Sequence, residues 1–125
     1  MMFRIVTLVL VSSLSSIAFA QDAGWDLMTK TKNEATLCLV SQAVRLDDGR
    51  TSPEIVVRGA ARACQESIRA FDNAFRSKFE EMVPYDLNSQ RETLIGQKTS
   101  EFHTDMQDLA IQAILEERVK KRASN

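Results

Sequence analysis

The sequence predicts an all-α fold, a small three-helix domain in which one disulfide clamps the first helical hairpin. Three observations predict it. Apolar residues recur at three- and four-residue spacings through most of the chain, and strand-type alternation is nearly absent. Helix stop and start signals divide that pattern twice, at Asp47-Asp48-Gly49 with Ser52-Pro53-Glu54, and again at Pro84. The only two cysteines, Cys38 and Cys64, stand on either side of the first division.

The N-terminal segment predicts the compartment. Arg4 is the only charge before Asp22, and Ile5 to Val11 is apolar except for Thr7. Ala18-Phe19-Ala20 is the small-x-small pattern that signal peptidases accept, so residues 1–20 read as a cleaved signal peptide. Residues 21–125 then form a single helical domain. Ser12, Ser13, Ser15 and Ser16 dilute the apolar run below the ~20 residues a spanning helix needs. No cysteine follows the cut to accept a lipid, and no later stretch could span a bilayer. The expected location is the periplasm or the medium. An even cysteine count in such an oxidising compartment predicts a Cys38–Cys64 bridge. A metal pair would need further ligands, and a redox pair would normally be Cys-x-x-Cys.

The first helix is expected over about 29–47. Gln21 to Thr29 has no lasting period and reads as a loose lead-in, with Trp25, Leu27 and Met28 able to dock as an apolar lid. Thr31-x-x-Glu34 has the form of a capping box. Ala35, Leu37, Leu39, Val40, Ala43, Val44 and Leu46 give a broad apolar face, and Cys38 falls in the narrower polar sector, so a neighbouring helix should cover it. Gly49 suits the left-handed position after a helix end.

The second helix is expected as one continuous element over about 53–83. Ser52 is a preferred N-cap, Pro53 fits the first turn, and Glu54 complements the positive end of the dipole. Val57, Ala60, Ala61, Cys64, Ile68, Phe71, Phe75, Phe79 and Met82 project as one stripe. Pro84 disfavours helical geometry at Val83 and ends the element.

The third helix is expected over about 89–121, capped by Asn88 or Ser89, with Ser89-x-x-Glu92 as a second capping box. Ile95, Phe102, Met106, Leu109 and Ala113 form its main stripe. Beyond Leu109 it becomes apolar on two sides. Arg118, Lys120, Lys121 and Arg122 favour the negative end of the helix.

Composition excludes several functions. The chain has 125 residues with 16 basic and 17 acidic side chains. Removal of Arg4 with the leader takes the net charge to −2, without the basic excess of a nucleic-acid binder. His103 is the only histidine. Glu101 and Asp105 lie about 160° from it at 100° per residue, so no metal site is expected and the histidine reads as exposed and solvated. Asp47-Asp48-Gly49 lacks the further oxygen ligands of a calcium loop, and turn chemistry already selects these residues. Arg58, Arg62, Arg69 and Arg76 line one side of the second helix within about 40° of arc, a weak anion-binding ridge. Glu66, Asp72 and Glu80 flank them at three- and four-residue spacings and are expected to neutralise the ridge. No cofactor pattern and no nucleophile–base pattern occurs, and we do not expect an enzyme.

The sequence of a leader, then Cys38, Leu46-Asp47-Asp48-Gly49 and Cys64 resembles small exported proteins of unassigned function from Gram-negative bacteria. The resemblance is clearest over 37–71 and implies a periplasmic address without an activity. More loosely, the architecture is similar to that of two families of small, helical, single-disulfide periplasmic proteins: the immunity proteins against cell-wall amidase toxins and the acid-stress chaperones. The expected function is a non-catalytic binding protein, an adaptor or inhibitor, acting on another protein through a helical surface. The residues expected on that surface are Ile111, Ile114, Leu115 and Val119, with Trp25. The alternative for the late third helix is that it completes the core or the seam of a homodimer. The second functional reading is a stress chaperone that loosens in acid.

Overall fold

The computed structural model describes residues 15–125, with side chains from residue 23 onward. Residues 1–14 of the proposed leader lie outside the described residues. Helices α1 (Ser15–Leu46), α2 (Pro53–Ala63), α3 (Gln65–Met82) and α4 (Asn88–Ala123) make up the fold, with a 3₁₀ turn at Tyr85–Leu87. The described chain contains no strand. Helix α1 lies against each of the other three, and α2–α3 returns antiparallel to it before α4 runs back alongside. The all-α architecture with a Cys38–Cys64 bridge therefore holds, with Cα atoms 5.9 Å apart.

The core follows from the periodicity. Ala35, Leu39 and Ala43 of α1 meet Val56, Val57 and Ala60 of α2, Phe71 and Phe75 of α3, and Ile95, Met106, Ala110 and Ile114 of α4. Phe71 and Phe75 each pack edge-on against Phe102, with centroids 5.4 Å apart in both pairs. Of the stripe expected on the second helix, only Met82 remains largely exposed. On α4 the buried stripe differs from expectation. It runs through Ala110 and Ile114 at four-residue steps, and Leu109 is half exposed. Steps of four drift about 40° per turn at 100° per residue, so the buried face rotates from α3 towards α2 along the helix.

Several local expectations give way to packing. The lead-in before Thr29 is helical, and Thr31 is not a start signal: its hydroxyl donates to the Leu27 and Met28 carbonyls inside α1. Lys78 of α3 covers this early segment, and a Cβ at Gly24 would sit 3.2 Å from its Cδ. Ser52 makes no side-chain cap. Its hydroxyl donates to Glu54, while its carbonyl accepts from Ile55 and Val56. At the start of α4 neither Asn88 nor Ser89 caps through its side chain; Asn88 accepts from Arg91, and Glu92 turns to Arg76. Val83 is extended before Pro84, one residue past the end of α3, as proline requires.

The expected single second helix is divided at Cys64 (φ −101°, ψ 15°). Neighbouring residues are ordinary helix formers, so local propensity does not explain the break. A straight helix of about thirty residues would run roughly 45 Å. The interruption at Cys64 is one residue long: its N–H still donates to the Ala60 carbonyl, its carbonyl accepts from Ile68, and both α2 and α3 lie against α1 and α4. It falls on the residue tied to α1.

Candidate functional site

The residues expected to form one partner surface are dispersed. Ile114 is fully buried, Ile111 packs half-buried against the core, and Leu115 and Val119 are 47% and 59% exposed. They stand beside Arg118, whose guanidinium bonds Asp47 at the C-terminal end of α1. Trp25 lies about 22 residues back along α1, roughly 33 Å away at 1.5 Å per residue. Ile114 therefore leaves the surface altogether, and Trp25 cannot share a patch with Val119. Sequence spacing did not show this, because it does not reveal which flank of α4 meets α2.

The Trp25 end has a shape of its own. A shallow groove of about 420 Å³ runs between α1 and α3, lined by Gly24, Leu27, Thr31, Ala74, Ser77 and Lys78 among others. Its floor consists of small residues. Trp25 and Leu27 stand at its edge, 45% and 54% exposed. Lys78 is 8% exposed; its Nζ lies 3.3 Å from Glu81 and 5.3 Å from the Trp25 ring centroid. A buried ammonium over an indole face is a favourable cation–π arrangement. Sequence reasoning missed Lys78 because it interrupts the apolar stripe as a single charge. Its place beside Phe75 and Phe79 at three- and one-residue spacings was the available signal.

A second set of polar residues joins the other end of the bundle. Asp47, nearly buried, accepts from Arg118 Nε at 3.0 Å and Nη2 at 2.5 Å, and the same guanidinium donates to the Thr51 carbonyl at 2.6 Å. Asp48 accepts from the backbone N–H groups of Arg50 and Thr51 and from the Thr51 hydroxyl, and Gly49 takes a positive φ of 78°. The Arg118 hydrogen bond holds the Asp47 carboxyl below its usual range. The Thr51 and Arg50 N–H groups bring Asp48 down to about 2. Both carboxyls are depressed, so their contribution to stability is present above the ordinary aspartate value and is lost as pH falls through the lower folded values. Asp47→Asn is expected to cost about 2 kcal/mol at neutral pH, the scale of hydrogen bonds to a charged group. Urea titrations at neutral pH and below the ordinary aspartate value check this, since the variant should show a weaker acid dependence than the parent.

The arginine ridge is only partly neutralised. Arg76 bonds Glu92 of α4 through both carboxylate oxygens and approaches Glu80. Asp72 is taken by His103, whose Nε2 lies 2.7 Å from Asp72 Oδ1. That contact corrects the expectation of a solvated histidine: His103 is only about one-third exposed and joins α3 to α4. Among the described residues, Arg58, Arg62 and Arg69 have no carboxylate within 4 Å, and no cluster of three or more metal-ligating side chains occurs. No described helix is long and apolar enough to cross a membrane. No known protein family, curated protein or solved structure matches the chain.

Proposed function

We propose that the chain is an exported, non-catalytic binding protein that holds a helical segment of another protein in the groove between α1 and α3. The observation that supports this most directly is the pairing of Trp25 and Leu27, both substantially exposed, with a floor of small residues. Small residues let a partner helix approach closely, and an exposed aromatic at the edge is the kind of side chain that dominates interface energies. The disulfide fits the oxidising compartment that this reading requires.

The test is affinity capture from periplasmic extract of the native host, with the tagged protein and its Trp25→Ala/Leu27→Asp variant compared side by side. One near-stoichiometric partner, lost in the variant at an unchanged melting temperature, is the expected result. Equal capture by both proteins refutes the groove. A second reading, an acid-stress chaperone, draws on the Asp47–Arg118 contact, since protonation of Asp47 weakens the tie between α1 and α4. It requires client binding that rises as pH falls, and a protein that stays folded and inert in strong acid excludes it.

A further inference from the structure

We propose that the turn between α3 and α4 is a lipid-docking cap that seats this end of the bundle on a phospholipid bilayer surface. Connections between helices are ordinarily polar. This one presents Met82, Tyr85 and Leu87 to solvent, 57%, 82% and 42% exposed, and its 3₁₀ turn buries none of its residues. Pro84 is exposed between them. Large apolar side chains gathered on one turn cost solvation unless something covers them.

The cap is held in shape from within the bundle. The Leu87 N–H donates to the Pro84 carbonyl at 3.1 Å, which closes the turn. The Arg91 guanidinium lies 5.6 Å from the centre of the Tyr85 ring and is itself anchored, with Nη2 donating to Asn88 at 2.6 Å. Arg91 is buried, so the ring is braced on one side and open to solvent on the other. Tyrosine has an apolar body and a polar tip, which suits the boundary between headgroups and acyl chains.

The direction of the chain indicates a bilayer as the cover. Helices α1 and α3 are antiparallel, and Gly24 lies opposite Lys78, with a Cβ there 3.2 Å from Lys78 Cδ. From Gly24, α1 reaches back nine residues to Ser15, roughly 14 Å, while α3 runs four residues from Lys78 to Met82, roughly 6 Å. The described chain therefore begins at the same end as the cap. Just ahead of it in sequence is the apolar run Ile5 to Val11, separated from Ser15 only by Ser12, Ser13 and Leu14. Four residue steps span at most ~14 Å, so a leader lodged in the bilayer holds this end of the bundle at the lipid surface. The charges there add no basic excess: Arg76 is engaged by Glu80 and Glu92, Lys78 by Glu81, and Asp86 lies on the turn itself. Docking is then apolar, without the attraction to anionic lipid that a polybasic surface has. The groove beside Trp25 takes no part, so the two proposals fail separately.

The test is flotation of the exported chain with phosphatidylcholine vesicles, comparing the parent with Tyr85→Ser/Leu87→Ser. The parent should float, and the double variant should partition about tenfold more weakly at an unchanged melting temperature, because two exposed apolar side chains are lost. Raising the salt concentration should leave the parent's partitioning unchanged. Moving the only tryptophan with Trp25→Phe/Tyr85→Trp gives a local readout: vesicles should shift its emission to the blue, and brominated acyl chains should quench it. Absence of flotation, equal flotation of parent and double variant, or emission that vesicles leave unchanged overturns the proposal. Binding that needs anionic lipid and fades with salt overturns it too, because the contact then belongs to basic side chains. A dimer in sedimentation velocity that the double variant dissolves gives the turn to a second copy of the chain, and overturns it equally.

Discussion

Phe71→Ala is expected to lower stability by about 4 kcal/mol, the range for removing a fully buried aromatic side chain. Phe71 has no exposed surface. It touches Phe102 edge-on at 5.4 Å and Phe75 at 6.2 Å, so it joins α3 to α4 and aligns the neighbouring ring on its own helix. Truncation forfeits the buried apolar area and leaves a void that the three surrounding helices can close only in part. For a domain of this size the loss corresponds to a fall in melting temperature of about 15 °C. Urea and thermal unfolding followed by circular dichroism measure both quantities. Met82→Ala, at an end of the same stripe and mostly exposed, is the internal control and should change stability by less than about 0.5 kcal/mol. A loss at Phe71 no larger than at Met82 would refute this account of the core.

Removing the bridge with Cys38→Ala/Cys64→Ala is expected to cost a comparable amount for a different reason. The bond spans a sequence separation of 26. Closing a loop of that size restricts the unfolded chain by roughly 3–4 kcal/mol in the loop-entropy model. The folded protein should therefore keep its helix content at low temperature, because the clamped surfaces remain buried: Leu39, Ala43, Ala60 and Phe71 still pack together without the bond. The observable is a lower urea midpoint with a native far-ultraviolet spectrum in zero denaturant. Loss of helicity before any denaturant is added would mean that the bond holds the native hairpin together directly. Both variants leave the Trp25 groove untouched, so partner capture at low temperature should survive each of them.

The candidate sites were less legible than the core. The groove beside Trp25 depends on which residues of α3 lie opposite Gly24 and Leu27, which no spacing within one helix reveals. In the sequence Lys78 is a single charge within an apolar stripe; in the fold it is buried, with Glu81 and the Trp25 ring beside its ammonium. The arginine ridge was visible as a ridge. Its neutralisation is only partial: Glu80 and Glu92 engage Arg76, Asp72 turns to His103, and Glu66 lies within 4 Å of none of the four arginines. Local charge spacing selects neighbours on one helix, while partners on the facing helix compete for the same carboxylates.

The sequence by itself determined the helical class, the chain reversals at Gly49 and Pro84, the bridge between the only two cysteines, and most of the buried stripe on the second helical segment. Each of these follows from short-range physics: the 3.6-residue period, the left-handed tolerance of glycine, the steric demand of proline and the pairing of thiols in an oxidising setting. Tertiary structure alone decided the early extent of α1, the interruption at Cys64, the burial of Ile114 with the exposure of Leu115, and the pairing of Arg118 with Asp47. These depend on how four helices of fixed rise and diameter share one core. That contest is settled between residues far apart in the chain, so no window of sequence contains it.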